Sequence, residues 1–420
     1  MSKQLKRKVA VVGVGMSKFG VFPAKSSRDL LVEAYAELQQ SLEKGFNPQD
    51  IQAFYMGNFS SDAFEKQGHL APIAASWLGL SPAASVRIED ACASGGVALR
   101  EAILSIASGV NDVVLVGGVE KMTDLSTAEV TDALATAADT LFEIPAGFTF
   151  PGFYAAMATA YINEYHADPR ALLKVGVKNH ENGALNEKAQ FNQTIQQVMA
   201  GKKKKAAEKG LPLPQWADEI AFLEDPKANP MIAWPLRLFD CSPVSDGGAV
   251  LLLVAEELAE RYTTQPLLVK GIGQASDGSL AERASLSHVP AAVKAAQEAY
   301  AMAGINAQDI DLAEVHDCFT IAEIMASEDL GFFKRGEGWK AAMEGKTARD
   351  GEHPINTSGG LKSKGHPVGA SGVAQVVEIW KQLHGLAGQR QLAGPLKYGL
   401  THNVGGTGQT CVVHIFEKRF

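Results

Sequence analysis

Short runs of apolar residues, each broken by glycine and followed by apolar positions three and four apart, recur along the chain. Residues 9–14 (VAVVGV) form the first run and predict a strand that ends in a turn at Gly13 and Gly15. Leu30, Leu31, Ala34, Leu38 and Leu42 then repeat at helical spacing, which predicts a helix over residues 28–44, capped by Ser27 and stopped by Gly45. The segment GFNPQDIQAFYMGNF leads into a second strand.

The same pattern returns in the second half. A strand at 267–269 precedes Gly271 and Gly273, a helix spans 290–303, and GINAQDIDLAEVHDCF follows. At one constant offset Gly45, Asn47, Gln49, Asp50 and Ile51 match Gly304, Asn306, Gln308, Asp309 and Ile310, which predicts an internal duplication. Later stretches correspond more loosely. DACASGG opens a helix ending near Gly109, before a strand at 112–116 and GGVE; GHPVGASG opens one ending near Gly385, before a strand at 396–402 and NVGGTG. Strand–helix alternation in each half predicts α/β layers with buried, mainly parallel sheets. Between the halves aromatics and prolines rise and KKKK interrupts the pattern at 202–205, so this stretch reads as an insertion that covers a substrate. The predicted division is 1–120, an insertion at 121–235, a return to the first half at 236–262, and 263–420.

Composition narrows the function class. With 46% apolar and 20% charged residues the 420-residue chain is globular, and a net charge of -8 leaves no basic footprint for nucleic acid. Four scattered cysteines form no C-x-x-C pair, which argues against a zinc site or a disulfide framework. The N-terminal MSKQLKRKVAVVGVG lacks a signal-peptide core, the C-terminal EKRF is not an S-K-L address, and no run is long enough for a membrane span. The expected compartment is the cytoplasm.

Four motifs carry candidate chemistry. Cys92 in DACASGG stands at the start of a helix, where the positive dipole end and free N–H groups favour thiolate; the alternative is a small buried cysteine. HDCF places His316 and Cys318 at a strand end, the position where open α/β sheets bind ligands, although a core histidine and cysteine fit as well. His366 in GHPVGASG lies in a tight turn and can serve as a base near neutral pH. The glycines of NVGGTG let backbone N–H groups approach an oxyanion. Cys241 beside SPVSDGG and Cys411 in the closing strand read as structural, and His180 is assigned no chemistry.

In order and spelling DACASGG, GGVEKM, DCSPVSDGGAV, EVHDCF, GHPVGASG and HNVGGTG resemble the thiolase superfamily over nearly the whole chain. HDCF in place of the usual NEAF is similar to the sterol-carrier-protein-2-type branch, here without the sterol-carrier domain. The resemblance implies a thiolase fold: two duplicated βαβαβαββ halves in a five-layered α-β-α-β-α core, with an inserted loop domain, assembled as a homodimer or dimer of dimers. It implies an acyltransferase that uses coenzyme A as co-substrate, with no metal, to cleave or form 3-oxoacyl-CoA in fatty-acid or aromatic degradation. Acetoacetyl-CoA is the simplest substrate, and a bulkier one such as benzoylsuccinyl-CoA is the alternative, because the aromatics of residues 139–153 could line a wide pocket.

By the same resemblance Cys92 is the nucleophile, His366 the histidine that activates it, and Cys318 the thiol acid/base. His316 and His366 donate to the thioester enolate oxygen, and the N–H groups of Cys92 and Gly405 form a second oxyanion hole. Asn403 stands where other thiolases carry their second catalytic cysteine and backs the site. Lys202 and Lys203 could meet coenzyme A phosphates, although such a run is more often a solvated face. A small zinc- and OB-fold-containing partner subunit is expected. The rival readings are a decarboxylating ketosynthase, a retro-aldolase lacking the nucleophile, and a non-catalytic acyl-CoA-binding scaffold.

Overall fold

The computed structural model describes residues 4–419; Met1–Lys3 of the N-terminal basic segment and Phe420 of EKRF lie outside the described residues. The first half runs β1 (Val9–Met16), α1 (Ser27–Ser41), β2 (Ala53–Gly57), α2 (Ser61–Phe64), α3 (Leu70–Trp77), β3 (Ala84–Ile88), α4 (Ser94–Ala107) and β4 (Val113–Glu120). The intervening stretch holds α5 (Thr127–Ala135), α6 (Phe150–Tyr165), α7 (Arg170–Ala184), α8 (Ile195–Glu208), α9 (Glu219–Glu224) and a hairpin of β5 (Met231–Ala233) with β6 (Leu236–Arg237). The chain returns as β7 (Gly247–Ala255). It continues through β8 (Leu267–Ser276), α10 (Pro290–Ala303), β9 (Leu312–Glu314), α11 (Thr320–Asp329), α12 (Gly338–Met343), α13 (Gly360–Lys364), α14 (Val368–Leu383), β10 (Tyr398–Gly405) and β11 (Thr410–Lys418).

Nine strands form one sheet in the order β3-β2-β4-β7-β1-β8-β11-β10-β9. Read outward from the central β1–β8 pair, both directions follow one plan, as the duplication predicts. β1, β7, β4 and β2 match β8, β11, β10 and β9. The counterpart of β3 survives as a single parallel bridge from Ile355 to Ala313. The two GxNxQDI segments adopt the same shape: Gly45 and Gly304 have φ of +67° and +72°, and each precedes a 3-10 turn, Pro48–Asp50 and Ala307–Asp309.

Helices α4 and α14 lie between the two halves, each touching strands of both, while α1 and α10 cover the outer faces. This is the expected five-layered arrangement: one apolar core encloses the central helices, and a second lies between the N-terminal strands and α1 with α3. A further core joins the C-terminal sheet to α6 and α7, so the intervening helices share packing with that half. No helix among the described residues is long and apolar enough to cross a membrane.

Three local expectations change. The sheet is mixed: only β2–β3, β2–β4 and β9–β10 run parallel, whereas β1–β7, β4–β7, β1–β8, β8–β11 and β10–β11 are antiparallel. The turn between β10 and β11 is too short for a crossover, and a tight turn forces antiparallel pairing. The cap of α1 is Ser26, whose hydroxyl accepts from Asp29 N–H while the Asp29 carboxylate accepts from Ser26 N–H; Ser27 is buried and donates to Glu65. The helix stops at Ser41 because Leu42 turns extended and joins the core.

Glycine governs how close the central helices come. A Cβ on Gly95 would lie 2.6 Å from Gly369 O and 3.2 Å from Val373 N, backbone atoms that cannot swing aside. Gly95→Val should therefore lower stability by about 1–3 kcal/mol, the usual scale of overpacking. Urea unfolding measures it, and an unchanged midpoint would contradict this packing.

Candidate active site

The tight helix pair brings the segments ahead of α4 and α14 together. Cys92 precedes α4 on a turn in which Ala91 takes φ +47°, a conformation costly for a residue with a side chain. The buried Ser94 clamps that turn: its hydroxyl donates to Ala91 O (2.6 Å) and accepts from Asp90 N–H (2.9 Å). His366 precedes α14, with its own N–H held by Ser245 Oγ at 2.9 Å. His316 and Cys318 follow β9 and are buried. The backbone between them is pinned by Asp317, whose carboxylate accepts from Leu361 N–H (2.6 Å) and Asn179 Nδ2 (2.8 Å). Asn356 accepts from Val315 N–H at 2.8 Å on the other flank.

The predicted residues converge. Cys92 Sγ and one ring nitrogen each of His316 and His366 lie within 4.8 Å of one another, and the two rings are edge to face with centroids 5.0 Å apart. Cys92, Cys318 and His366 line one cavity of about 160 Å³ whose remaining wall is mainly apolar, including Phe59, Met122, Leu134, Phe150 and Phe319. Of the aromatics at 139–153, Phe150 reaches this wall; Phe142 faces outward at 74% exposure and Phe153 is buried in the core.

The hydrogen bonds assign opposite tautomers to the two imidazoles. Ser371 Oγ donates to Pro367 O (2.8 Å), so it accepts from His366 Nδ1–H (2.7 Å), and His366 Nε2 is left with a free lone pair. Asn403 Nδ2 donates to His316 Nδ1 (3.1 Å), so His316 carries its proton on Nε2. Both Nε2 atoms are buried without a partner in the protein. One ring thus offers a base to the cluster and the other a donor.

Burial sets the resting charge. Desolvation, reinforced by the Glu120 carboxyl, pushes the Cys92 thiol up to about 12 despite N–H groups of Gly406 and Cys92 itself at the sulfur. This reverses the thiolate expected from the helix N-terminus, because loss of water outweighs a partial dipole charge. Burial holds His366 down at about 3, and burial with the neighbouring His366 and His402 holds His316 well below its ordinary value. Burial likewise raises the Cys318 thiol, opposed by its hydrogen bond with the Tyr154 hydroxyl.

Other predicted positions fall differently. An N–H of Gly406 reaches the Cys92 sulfur; Gly405, the expected oxyanion donor, directly precedes it at the end of β10, in register with Thr410. Lys202 and Lys203 lie on α8; Lys202 donates to Ala228 O (3.2 Å) and the pair sits over the rings of Phe222 and Trp216, not on the wall of the Cys92 cavity. Cys241, read as structural, joins that wall. Cys411 is core, and His180 stacks on Phe191.

Two residues escaped the sequence reading. Glu120, fully buried at the end of β4, accepts from Phe59, Ser60 and Gly369 N–H groups and so ties the loop after β2 to the first turn of α14 near Cys92. An acid directly after an unbroken apolar strand was its available signal. Tyr154 on α6 donates to Gly406 O (3.2 Å) as well as contacting Cys318, and no motif marks it.

Comparison with known proteins agrees with this geometry. Two family profiles match, "Thiolase, N-terminal domain" over residues 9–257 and "Thiolase C-terminal domain-like" over 273–418. An acetyl-CoA acetyltransferase of Methanothermobacter thermautotrophicus is 44% identical, covering 98% of this chain and 100% of that protein. Human sterol carrier protein 2 is 29% identical over 99% of this chain and 72% of its own length. Among solved structures, the Ltp2-ChsH2(DUF35) aldolase covers 98% of both chains with a TM-score of 0.75 at 22% identity, a likeness of fold.

A neutral thiol beside a neutral imidazole makes proton transfer internal to the site. Acylation of Cys92 by a thioester should then show no inflection between about pH 5 and about pH 9, because the histidine titrates below that window and the thiol above it. Rapid-quench acylation across that range tests it; a step near the ordinary imidazole value of 6.5 would overturn it.

Proposed function

The chain belongs to the thiolase family, and from that membership we propose that it is an acyl-CoA C-acyltransferase that cleaves or forms 3-oxoacyl-CoA through an acyl-cysteine on Cys92. The reading is carried by one observation: a thiol and two oppositely protonated imidazoles share 4.8 Å, with a second thiol on the same cavity.

In the cleavage direction the Cys92 thiol gives its proton to His366 Nε2 as sulfur attacks the 3-keto carbon. The developing oxyanion takes hydrogen bonds from the N–H groups of Cys92 and Gly405, with the Gly406 N–H next in sequence at the sulfur. Breaking the C2–C3 bond leaves an acyl-Cys92 thioester and an acetyl-CoA enolate. His316 Nε2–H and the His366 imidazolium donate to the enolate oxygen, and one such donor commonly contributes roughly 3–4 kcal/mol. Cys318 protonates C2 and becomes the thiolate that takes the proton of incoming coenzyme A, whose sulfur then displaces the acyl group from Cys92. The released sulfur recovers its proton from His366. Claisen condensation is the reverse.

The small cavity and the 44% identical acetyl-CoA acetyltransferase favour acetoacetyl-CoA over a bulky substrate such as benzoylsuccinyl-CoA. We assign the protein to the cytoplasm as a homodimer. The support for the dimer is β3, an edge strand of the large sheet with Val86 45% exposed, since an unpaired edge invites a partner strand. A DUF35-type partner subunit of the kind named with the aldolase fits the exposed Ile232 and Trp234 of the β5–β6 hairpin, of which Ile232 shares a surface pocket with Phe148 and Pro151 at the outer end of α6.

Purified protein should cleave acetoacetyl-CoA in the presence of coenzyme A. Cys92→Ala and Cys318→Ala should each lose at least about 100-fold in kcat, the scale of a missing acid/base or nucleophile. Only Cys92→Ala should abolish the trapped acyl-enzyme seen by intact mass spectrometry. An acyl adduct on Cys318 would exchange the two roles, and carbon dioxide release from a malonyl thioester would favour a ketosynthase.

Tyr154→Phe removes the hydroxyl from the Cys318 thiol and from Gly406 O while leaving the Cys92 and His366 side chains in place. It should lower kcat by about tenfold with the burst of acylation retained, the pattern of a group whose main effect follows acyl transfer. Stopped-flow with product quantification separates the steps, and a slower burst would contradict this assignment.

A further inference from the structure

Every polar atom of the Asn403 side chain is committed. Oδ1 accepts from Gly96 N–H (3.1 Å), and Nδ2 donates to Cys92 O (3.0 Å) and to His316 Nδ1 (3.1 Å). Turning the carboxamide over would set oxygen against a carbonyl oxygen and an amino group against an N–H, so two backbone groups allow one orientation. The seat is moulded to it: a Cβ on Gly96 or Gly372 would come within 2.8 Å or 2.2 Å of Oδ1. The group facing His316 Nδ1 is therefore always a donor, and the ring proton is confined to Nε2.

That confinement has a second effect. Cys92 Sγ and one ring nitrogen each of His316 and His366, all within 4.8 Å, are by atom type the ligand set of a thiophilic divalent cation such as zinc. With both Nδ1 atoms engaged by Ser371 and Asn403, the nitrogens left for a cation are the two unpartnered Nε2 atoms. A cation needs a lone pair from each ligand. His366 has one at Nε2, because its other proton goes to Ser371. His316 has none, because shifting its proton to Nδ1 would meet the amino group of Asn403. Metal-binding histidines usually have the opposite arrangement, with the far N–H donated to a carboxylate or carbonyl oxygen.

We propose that Asn403 is a positioning residue that locks His316 as an Nε2–H donor and thereby excludes zinc-class cations from the Cys92–His316–His366 cluster. The amide keeps three good metal ligands available for acyl chemistry. The proposal rests on the reading of this cluster as the thiolase site, yet its main readout needs no turnover, so the two can fail separately. An inactive wild type in the cleavage assay would sink that reading without touching the metal titration.

The test uses full-length, chelator-treated protein and cobalt(II) as a spectroscopic stand-in for zinc. Asn403→Asp keeps the size of the side chain and the bond to Gly96 N–H but presents an acceptor to His316 Nδ1, which draws the proton there and frees Nε2. Wild type titrated with cobalt should show no thiolate-to-cobalt charge-transfer band. Asn403→Asp should show one that saturates near one equivalent and disappears in the Asn403→Asp, Cys92→Ala double variant. Zinc should inhibit acetoacetyl-CoA cleavage by the Asp variant at concentrations at least about tenfold lower than for wild type, reversibly with chelator, the usual scale of changing the outer partner of a ligating histidine. Should the Asp variant fail to fold, Asn403→Ser, which removes the opposing donor, carries the same expectation in the cobalt titration. A Cys92-dependent band in wild type, or its absence from a folded Asp or Ser variant, overturns the proposal.

Discussion

The site depends on how closely two helices approach end to end. Gly95 of α4 and Gly369 of α14 meet backbone to backbone, closer than any side chain permits. The residues just ahead of each helix, Cys92 and His366, are thereby delivered to one place. One half of the duplication supplies a sulfur and the other an imidazole. The Asn403 carboxamide packs against α4 and bonds to the backbone at Cys92 O and Gly96 N–H. Three motifs far apart in the chain interlock at this point, so none can move without displacing the others.

Within that frame water is the dominant electrostatic variable. A helix N-terminus and two N–H groups at the sulfur favour thiolate, but exclusion of solvent and the buried Glu120 carboxyl outweigh them. The same exclusion keeps both imidazoles neutral. A site that rests uncharged and separates charge only as a bond forms gains the full benefit of its fixed donors at that moment, since they need no reorganisation. The directionality comes from Ser371 and Asn403, which decide where each ring keeps its proton.

The intervening helices do more than cover this arrangement. Through Asn179 of α7 they reach Asp317 and Glu323, and with Asn356 they form a buried network that fixes the backbone on both sides of His316. Through Tyr154 of α6 they touch Cys318 and the Gly406 carbonyl. Part of the cavity's apolar wall and the contacts at Cys318 thus come from the same stretch, which ties the shape of the cavity to the placement of its second thiol.

Periodicity and the repeated GxNxQDI segment made the duplication legible, because local spacing is displayed along a linear chain; the five layers and the four candidate side chains were read from the family resemblance that six short motifs carry. The pairing sense of the strands was not legible: turn length decides it for β10 and β11, and the predicted parallel sheet became a mixed one. That the Gly406 N–H reaches the sulfur was not legible either, because an N–H direction at a strand end is a matter of register, not of residue type. Glu120, Tyr154 and Cys241 entered the site unannounced, since their neighbours there are distant in sequence. Residue order thus determined which groups this protein owns and which helices present them. Tertiary structure alone decided their protonation, because burial and the partner on the far side of each ring belong to the folded chain.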